Sequence, residues 1–213
     1  MLEEALEKGL SLRDELKARD LASAIATGNV RLVERALKKR KVGFEVGTNE
    51  ILSLFSNPNN LRASELLAML RAILSALDTT AAIDWKRILL KFAKIAGKRG
   101  DVAMEETSRL LLSRLNAAGV PLGFDGNRLL CVAAENGNAP LLSLLLLISN
   151  DVDPGCRLGY PICKAAERGH LEIVKILIES GKVDVHARND GPLRYAQKHG
   201  HLHITEYLLG FNK

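Results

Sequence analysis

Glycine returns at a nearly constant interval along the C-terminal half of the chain. Gly137, Gly169 and Gly200 are 32 and 31 residues apart, and Gly100 precedes Gly137 by 37. Each stands after one short apolar helical pattern and before another. A glycine there supplies the left-handed backbone that ends an α-helix without the strain a Cβ would add. Units of this length, each one helix pair, cannot bury their own apolar face and must stack on neighbours. Gly28 to Gly100 spans 72 residues, about two intervals. Asparagine is the next-best residue at a left-handed helix end, and Asn59 divides that gap into 31 and 41. The match of Asn29-Val30-Arg31 and Glu34 with Asn60-Leu61-Arg62 and Glu65 supports the division.

The pattern is sharpest over Gly159 to Asn189. Pro161 suits the first helical position, where its missing N–H costs nothing. Ala165 and Ala166 are small enough for a neighbouring helix to come close, and Gly169 ends the first helix. His170-Leu171-Glu172 opens a second helix with Ile173, Val174, Ile176, Leu177 and Ile178 as its apolar stripe. Gly181 ends it, and Val183 to Ala187 reads as an extended return.

This stretch resembles an ankyrin repeat. The resemblance rests on Pro161-Ile162, Ala165-Ala166, Gly169-His170-Leu171-Glu172, Ile176-Leu177 and Val183-Asp184-Val185. The family's opening Thr-Pro-Leu-His reads Tyr-Pro-Ile-Cys here, which removes the hydroxyl that caps the first helix. The resemblance is specific over 125–209, fair over 20–41 and weak over 43–99. It implies an all-α solenoid: one array over 1–213, with a capping helix at 1–19. Six repeats with short hairpin-like connections would follow at 20–47, 48–83, 84–124, 125–158, 159–189 and 190–213. The third carries an apparent insertion at Ala103-Met104-Glu105-Glu106. The last has Gln197 where the fifth has Ala166, and adds His203, Thr205 and Glu206, as a polar end cap requires.

Composition agrees with stacked helices: 47% of residues are hydrophobic but only 4% aromatic. The net charge of +5 favours an acidic partner, and the interleaving of Glu135 and Glu167 with the cations argues against nucleic acid. Three cysteines without small-scaffold spacing point to reduced thiols and an intracellular setting. Cys131 and Cys163 share one repeat position, where a small buried residue fits. Met1 leads into a charged run, so no signal peptide is expected. The apolar run Leu141 to Ile148 is too short to span a bilayer, which needs ~20 residues, and reads as a buried outer helix. A monomer in the cytoplasm is expected. Lys38-Lys39-Arg40-Lys41 admits nuclear import, or serves as a helix C-terminus that favours cations.

No arrangement of residues here carries chemistry. There is no nucleophile beside a base and no phosphate-binding glycine loop, and Gly97-Lys98-Arg99-Gly100 reads as a turn. His199, His201 and His203 alternate, but His201 repeats the position of His170, where the resemblance implies hydrogen bonding between repeats. Neither a metal, a cofactor nor an enzymatic activity is expected.

What remains is a surface. In ankyrin stacks the first helices and hairpin tips line the concave face that partners use. By register, that face here holds Lys98, Arg99, Glu135, Asn136, Lys164, Glu167, Arg168, Tyr195, Lys198 and His199, with tips at Phe124, Arg157 and Arg188. The expected function is a non-enzymatic module that binds a protein or peptide there. The alternative is a pathogen or large-virus effector using the same surface on a host protein.

Overall fold

A computed structural model describes residues 21–38, 48–55, 62–75, 83–96 and 102–211. The expected capping helix at 1–19, the closing residues Asn59 and Gly100, and the strip residues Lys98 and Arg99 lie outside them. The chain divides into two compact units, Met1–Asp84 and Trp85–Lys213.

The described residues form twelve helices and no strand. The first unit holds α1 (Leu21–Ala26), α2 (Val30–Lys38), α3 (Thr48–Leu54) and α4 (Ala63–Ser75). Helix α1 packs on α2 and α3, and α4 packs on α2 and α3. The closing glycine of the first pair, Gly28, has φ 71°. The next residue, Asn29, accepts from the N–H groups of Arg31 and Leu32 and caps α2. Arg35 and Lys38 fall in the last turn of α2, where cations meet unpaired carbonyls. Leu21, Ala24, Leu32, Val33, Ile51, Leu54, Leu70 and Ile73 build the core of this unit.

The second unit holds α5 (Trp85–Ala96), α6 (Val102–Ala117), α7 (Phe124–Glu135) and α8 (Ala139–Ile148). It continues with α9 (Cys156–Arg168), α10 (Leu171–Glu179), α11 (Ala187–Lys198) and α12 (Leu202–Leu209). First helices α5, α7, α9 and α11 stack side by side in one row, and second helices α6, α8, α10 and α12 in another. The alanines seen in the sequence explain the tight first row: Ala133, Ala134, Ala165, Ala166 and Ala196 are fully buried.

Two expectations are corrected, and a third takes a definite form: the insertion expected at 103–106 lies inside an element, in the first turn of α6, the longest of these helices at 16 residues. Met104 anchors that turn in the core, and the buried hydroxyls of Thr107 and Ser108 donate back to the carbonyls of Ala103 and Met104. The apolar helix α8 is only partly buried: Leu141, Leu142, Leu144 and Leu145 face inward, whereas Leu147 and Ile148 are exposed. Finally, the tips carry no paired strands. Each is a left-handed triplet, at Asp125-Gly126-Asn127, Arg157-Leu158-Gly159 and Arg188-Asn189-Asp190. The regular first helix starts after the triplet, so Pro161 and Pro192 do fall in its first turn, where proline is tolerated.

Non-glycine residues in this conformation are strained, most of all large apolar ones. Leu158 combines φ 57° with 80% exposure, so its side chain contributes little packing in return. Leu158→Asn is expected to raise stability by about 0.5–1 kcal/mol, since asparagine tolerates the left-handed region. The urea midpoint measures it.

The closing glycines carry a second constraint. Gly169 has φ 82°, and a Cβ added to it would lie 2.7 Å from the imidazole of His201. Gly181 has φ 68° but open space around it. Gly181→Ala should therefore cost about 1 kcal/mol of backbone strain, and Gly169→Ala about twice that. Equal losses in urea unfolding would show that the imidazole yields freely.

Candidate partner-binding surface

The surface is assembled by contacts that repeat from one helix pair to the next. His170 Nε2 lies 3.2 Å from the carbonyl oxygen of Glu135, and His201 Nε2 lies 3.0 Å from that of Glu167. A carbonyl only accepts, so Nε2 carries the proton in both. These bonds are the inter-repeat role expected of the turn histidines. His199 stacks on His201 with ring centroids 6.4 Å apart. Among the described residues, no group of three or more His, Cys, Asp and Glu is placed to hold a metal ion.

The tips are tied by arginine and asparagine. Arg157 donates to the carbonyl of Asp125 at 2.9 Å, and Arg188 donates to those of Arg157 and Leu158 at 2.7 and 3.1 Å. The side-chain oxygen of Asn127 accepts from the N–H of Asp153 at 2.9 Å. Each guanidinium thus satisfies backbone oxygens of the preceding left-handed triplet. Arg157 and Arg188 remain exposed, but their donors are partly spent on the scaffold.

Charged residues of the first helices are joined along the row. Arg168 reaches Glu135 at 3.4 Å, between α9 and α7. Lys164 pairs with Glu167 at 2.7 Å within α9. That hydrogen bond holds the Glu167 carboxyl below, and the Lys164 ammonium above, their ordinary pKa values. Lys198 and His199 are exposed at the end of α11, and Tyr195 is half-buried. The side chain of Asn136 donates to the carbonyl of Val132, which commits it to the end of its own helix.

Phe124 departs from its expected place at an exposed tip. It is 5% exposed, with the Lys86 ammonium 5.3 Å from its ring centroid. The triplet that follows turns the chain so that its aromatic ring enters the core. Tyr160 lacks a motif in the sequence, yet Lys164 and Arg188 both lie over its ring, at 5.9 and 5.8 Å from the centroid. The position before Pro161 is the only signal that pointed to it. The outer row also holds a groove of about 600 Å³ that periodicity does not reveal. Leu112, Val120, Pro121, Leu122, Leu144 and Ile148 line it, with Arg109 and Asp151 among its polar residues.

With two helix rows, repeated left-handed tips and imidazoles bridging successive pairs, the architecture is that of a repeat solenoid. A protein-family model of ankyrin repeats, three copies long, matches residues 95–213. The chain belongs to the ankyrin-repeat family. A search of curated proteins gave no match. Ankyrin repeats are generally non-enzymatic modules of protein–protein interaction. Among the described residues, no helix is long and apolar enough to cross a membrane.

Burial holds the His170 pKa below its ordinary 6.5, with the Arg168 and His201 charges adding to that and the bond to Glu135 opposing it. The unfolded chain therefore takes up this proton at a higher pH than the folded one. The associated stability is complete above pH 6.5 and declines as the pH falls toward the folded-state value. His170→Gln should flatten that part of the stability profile and cost about 1 kcal/mol at neutral pH through the lost hydrogen bond. Chemical unfolding at a series of pH values measures both.

Proposed function

We propose that the chain binds a protein partner on the face carried by its first helices and tips, and that the partner's contact surface is acidic. The observation that carries this reading is the continuity of charge between repeats. Glu135, Arg168, Lys164 and Glu167 form linked pairs on α7 and α9, and exposed Lys198 and His199 extend the series onto α11. Five cations on this strip, Arg157, Lys164, Arg168, Arg188 and Lys198, stand against two carboxylates, Glu135 and Glu167. Such an excess steers an acidic partner and sets its register, while half-buried Tyr160 and Tyr195 supply contact area at low entropic cost.

The arginines divide by role. Arg157 and Arg188 fasten the tips, so their replacement disturbs the scaffold together with the surface. Arg168, whose exposed head meets only the Glu135 carboxylate, and exposed Lys198 hold no backbone group of the tips among the described residues and are the residues to test.

Proximity labelling in native cells, followed by affinity purification, identifies the partner, and titration calorimetry then measures it against variants. Arg168→Glu with Lys198→Glu is expected to weaken binding by roughly 10- to 100-fold and to reduce its salt dependence, with little change in thermal stability. Lys182→Glu, in the connection after α10, serves as the control. Unchanged affinity of the double variant sinks the assignment of the face. Unchanged salt dependence sinks the acidic character of the partner.

A further inference from the structure

Cys131 and Cys156 are 25 residues apart, a separation unrelated to the repeat period, yet their sulfur atoms lie 3.7 Å apart within hydrogen-bonding distance. Cys131 sits in α7, and Cys156 opens α9, the neighbouring first helix. Both are buried, with 4% and 7% exposure. Cys163 is also buried and has no sulfur partner among the described residues.

We propose that Cys131 and Cys156 form an oxidisable dithiol, a modification site at which hydroperoxide joins two adjacent first helices, α7 and α9, through a disulfide.

The two thiols divide the work. Either sulfur can donate to the other, and the arrangement with Cys156 as donor favours the thiolate at Cys131 and holds the proton on Cys156. The Arg157 guanidinium favours the thiolate at both sulfurs. The pair therefore has a nucleophilic sulfur and a resolving one in contact. In Cys163, burial and the nearby Glu167 charge push the thiol pKa up, against the opposing Arg188 and Lys164 charges. Hydrogen peroxide is small enough to reach a nearly closed site. The Cys131 thiolate attacks one peroxide oxygen, the O–O bond breaks, and the departing hydroxide takes a proton to leave as water. That step oxidises Cys131 to a sulfenic acid. Cys156 then loses its proton and attacks the Cys131 sulfur, forming the S–S bond and expelling hydroxide, which is protonated to a second water. Two thiols and one peroxide become one disulfide and two waters. The sulfurs must close from 3.7 Å to about 2.05 Å.

The test uses the full chain, reduced, freed of reductant and treated with stoichiometric hydrogen peroxide in native buffer. It is then denatured and alkylated. The expected product is lighter by about 2 Da, keeps one alkylatable thiol of three, and yields a linked Cys131–Cys156 peptide on digestion. Dithiothreitol should restore all three thiols. Peroxide added in urea should give a mixture of pairings instead, because the preference comes from the fold. Cys163→Ala should oxidise as the parent chain does. In Cys156→Ala, Cys131 should stop at sulfenic acid or pass to sulfinic acid. Three intact thiols in the native parent chain, a link to Cys163, or sulfinic acid at Cys131 without a disulfide would each overturn the proposal. Because the parent chain alone decides it, a variant that failed to fold would not obscure the result. No partner binding is involved, so the proposal stands or falls apart from the assigned face.

Discussion

Adjacent repeats are coupled where an imidazole rests on a glycine that has no side chain. The His170 ring lies over Gly137, and the His201 ring lies over Gly169, each within 3 Å of where a Cβ would be. From those positions Nε2 reaches the carbonyls of Glu135 and Glu167, two residues before the glycines. The glycine is therefore required twice over. Its backbone must be left-handed to end the first helix, and its bare α-carbon must admit the ring from the next repeat. This double demand holds at Gly137 and Gly169, whereas Gly200, with open space around it, meets only the first. Apolar packing alone would tolerate small slips, whereas a hydrogen bond to one carbonyl does not.

Asparagine is the other answer at the same position. Asn29 and Asn138 follow closing glycines just as His170 and His201 do, but their side chains turn to the N-termini of their own helices. Asn138 accepts from Leu141 N–H at 3.1 Å, deep in the core. Capping stabilises the helix that carries it, whereas the imidazole stabilises the junction between helices. The choice between them trades strength within a repeat against strength between repeats. The histidine version occurs in the part of the chain where the ankyrin resemblance is closest.

Features with a period were legible in the sequence. Gly28, Gly137, Gly169 and Gly200 all adopt positive φ, and the alanines of the first helices line the tight interface between them. The histidine bonds followed from the register too. What failed to show depends on geometry that no interval encodes. The left-handed triplets use asparagine, aspartate, arginine and leucine as well as glycine, so their residue types do not mark them. The burial of Phe124 follows from the triplet after it. The extra length around Met104-Glu105-Glu106 shows in the repeat interval, but that it lengthens a helix shows only in the structure. Cys156 was silent because its partner lies at a non-repeating distance. In the strip, register placed Glu135, Glu167, Arg168, Lys198 and His199 in sequence terms, but it did not distinguish residues that hold the scaffold from residues available to a partner.

That distinction bears on how the surface would work. A binding face made of long basic side chains on mobile tips would lose much side-chain and loop entropy on association. Here the tips are already fastened: Arg157 and Arg188 are bonded to backbone oxygens, and Asn127 holds the neighbouring connection. The cations Lys164 and Arg168 are likewise placed by Glu167 and Glu135 on the same face. An incoming carboxylate would compete with those two glutamates, so each new contact gains less than a bare cation would offer. It would, however, meet guanidinium and ammonium groups already oriented. On the proposed reading, an array built this way would favour discrimination over raw affinity, because only a partner whose acidic groups matched the spacing of one repeat to the next could replace several of these bonds at once.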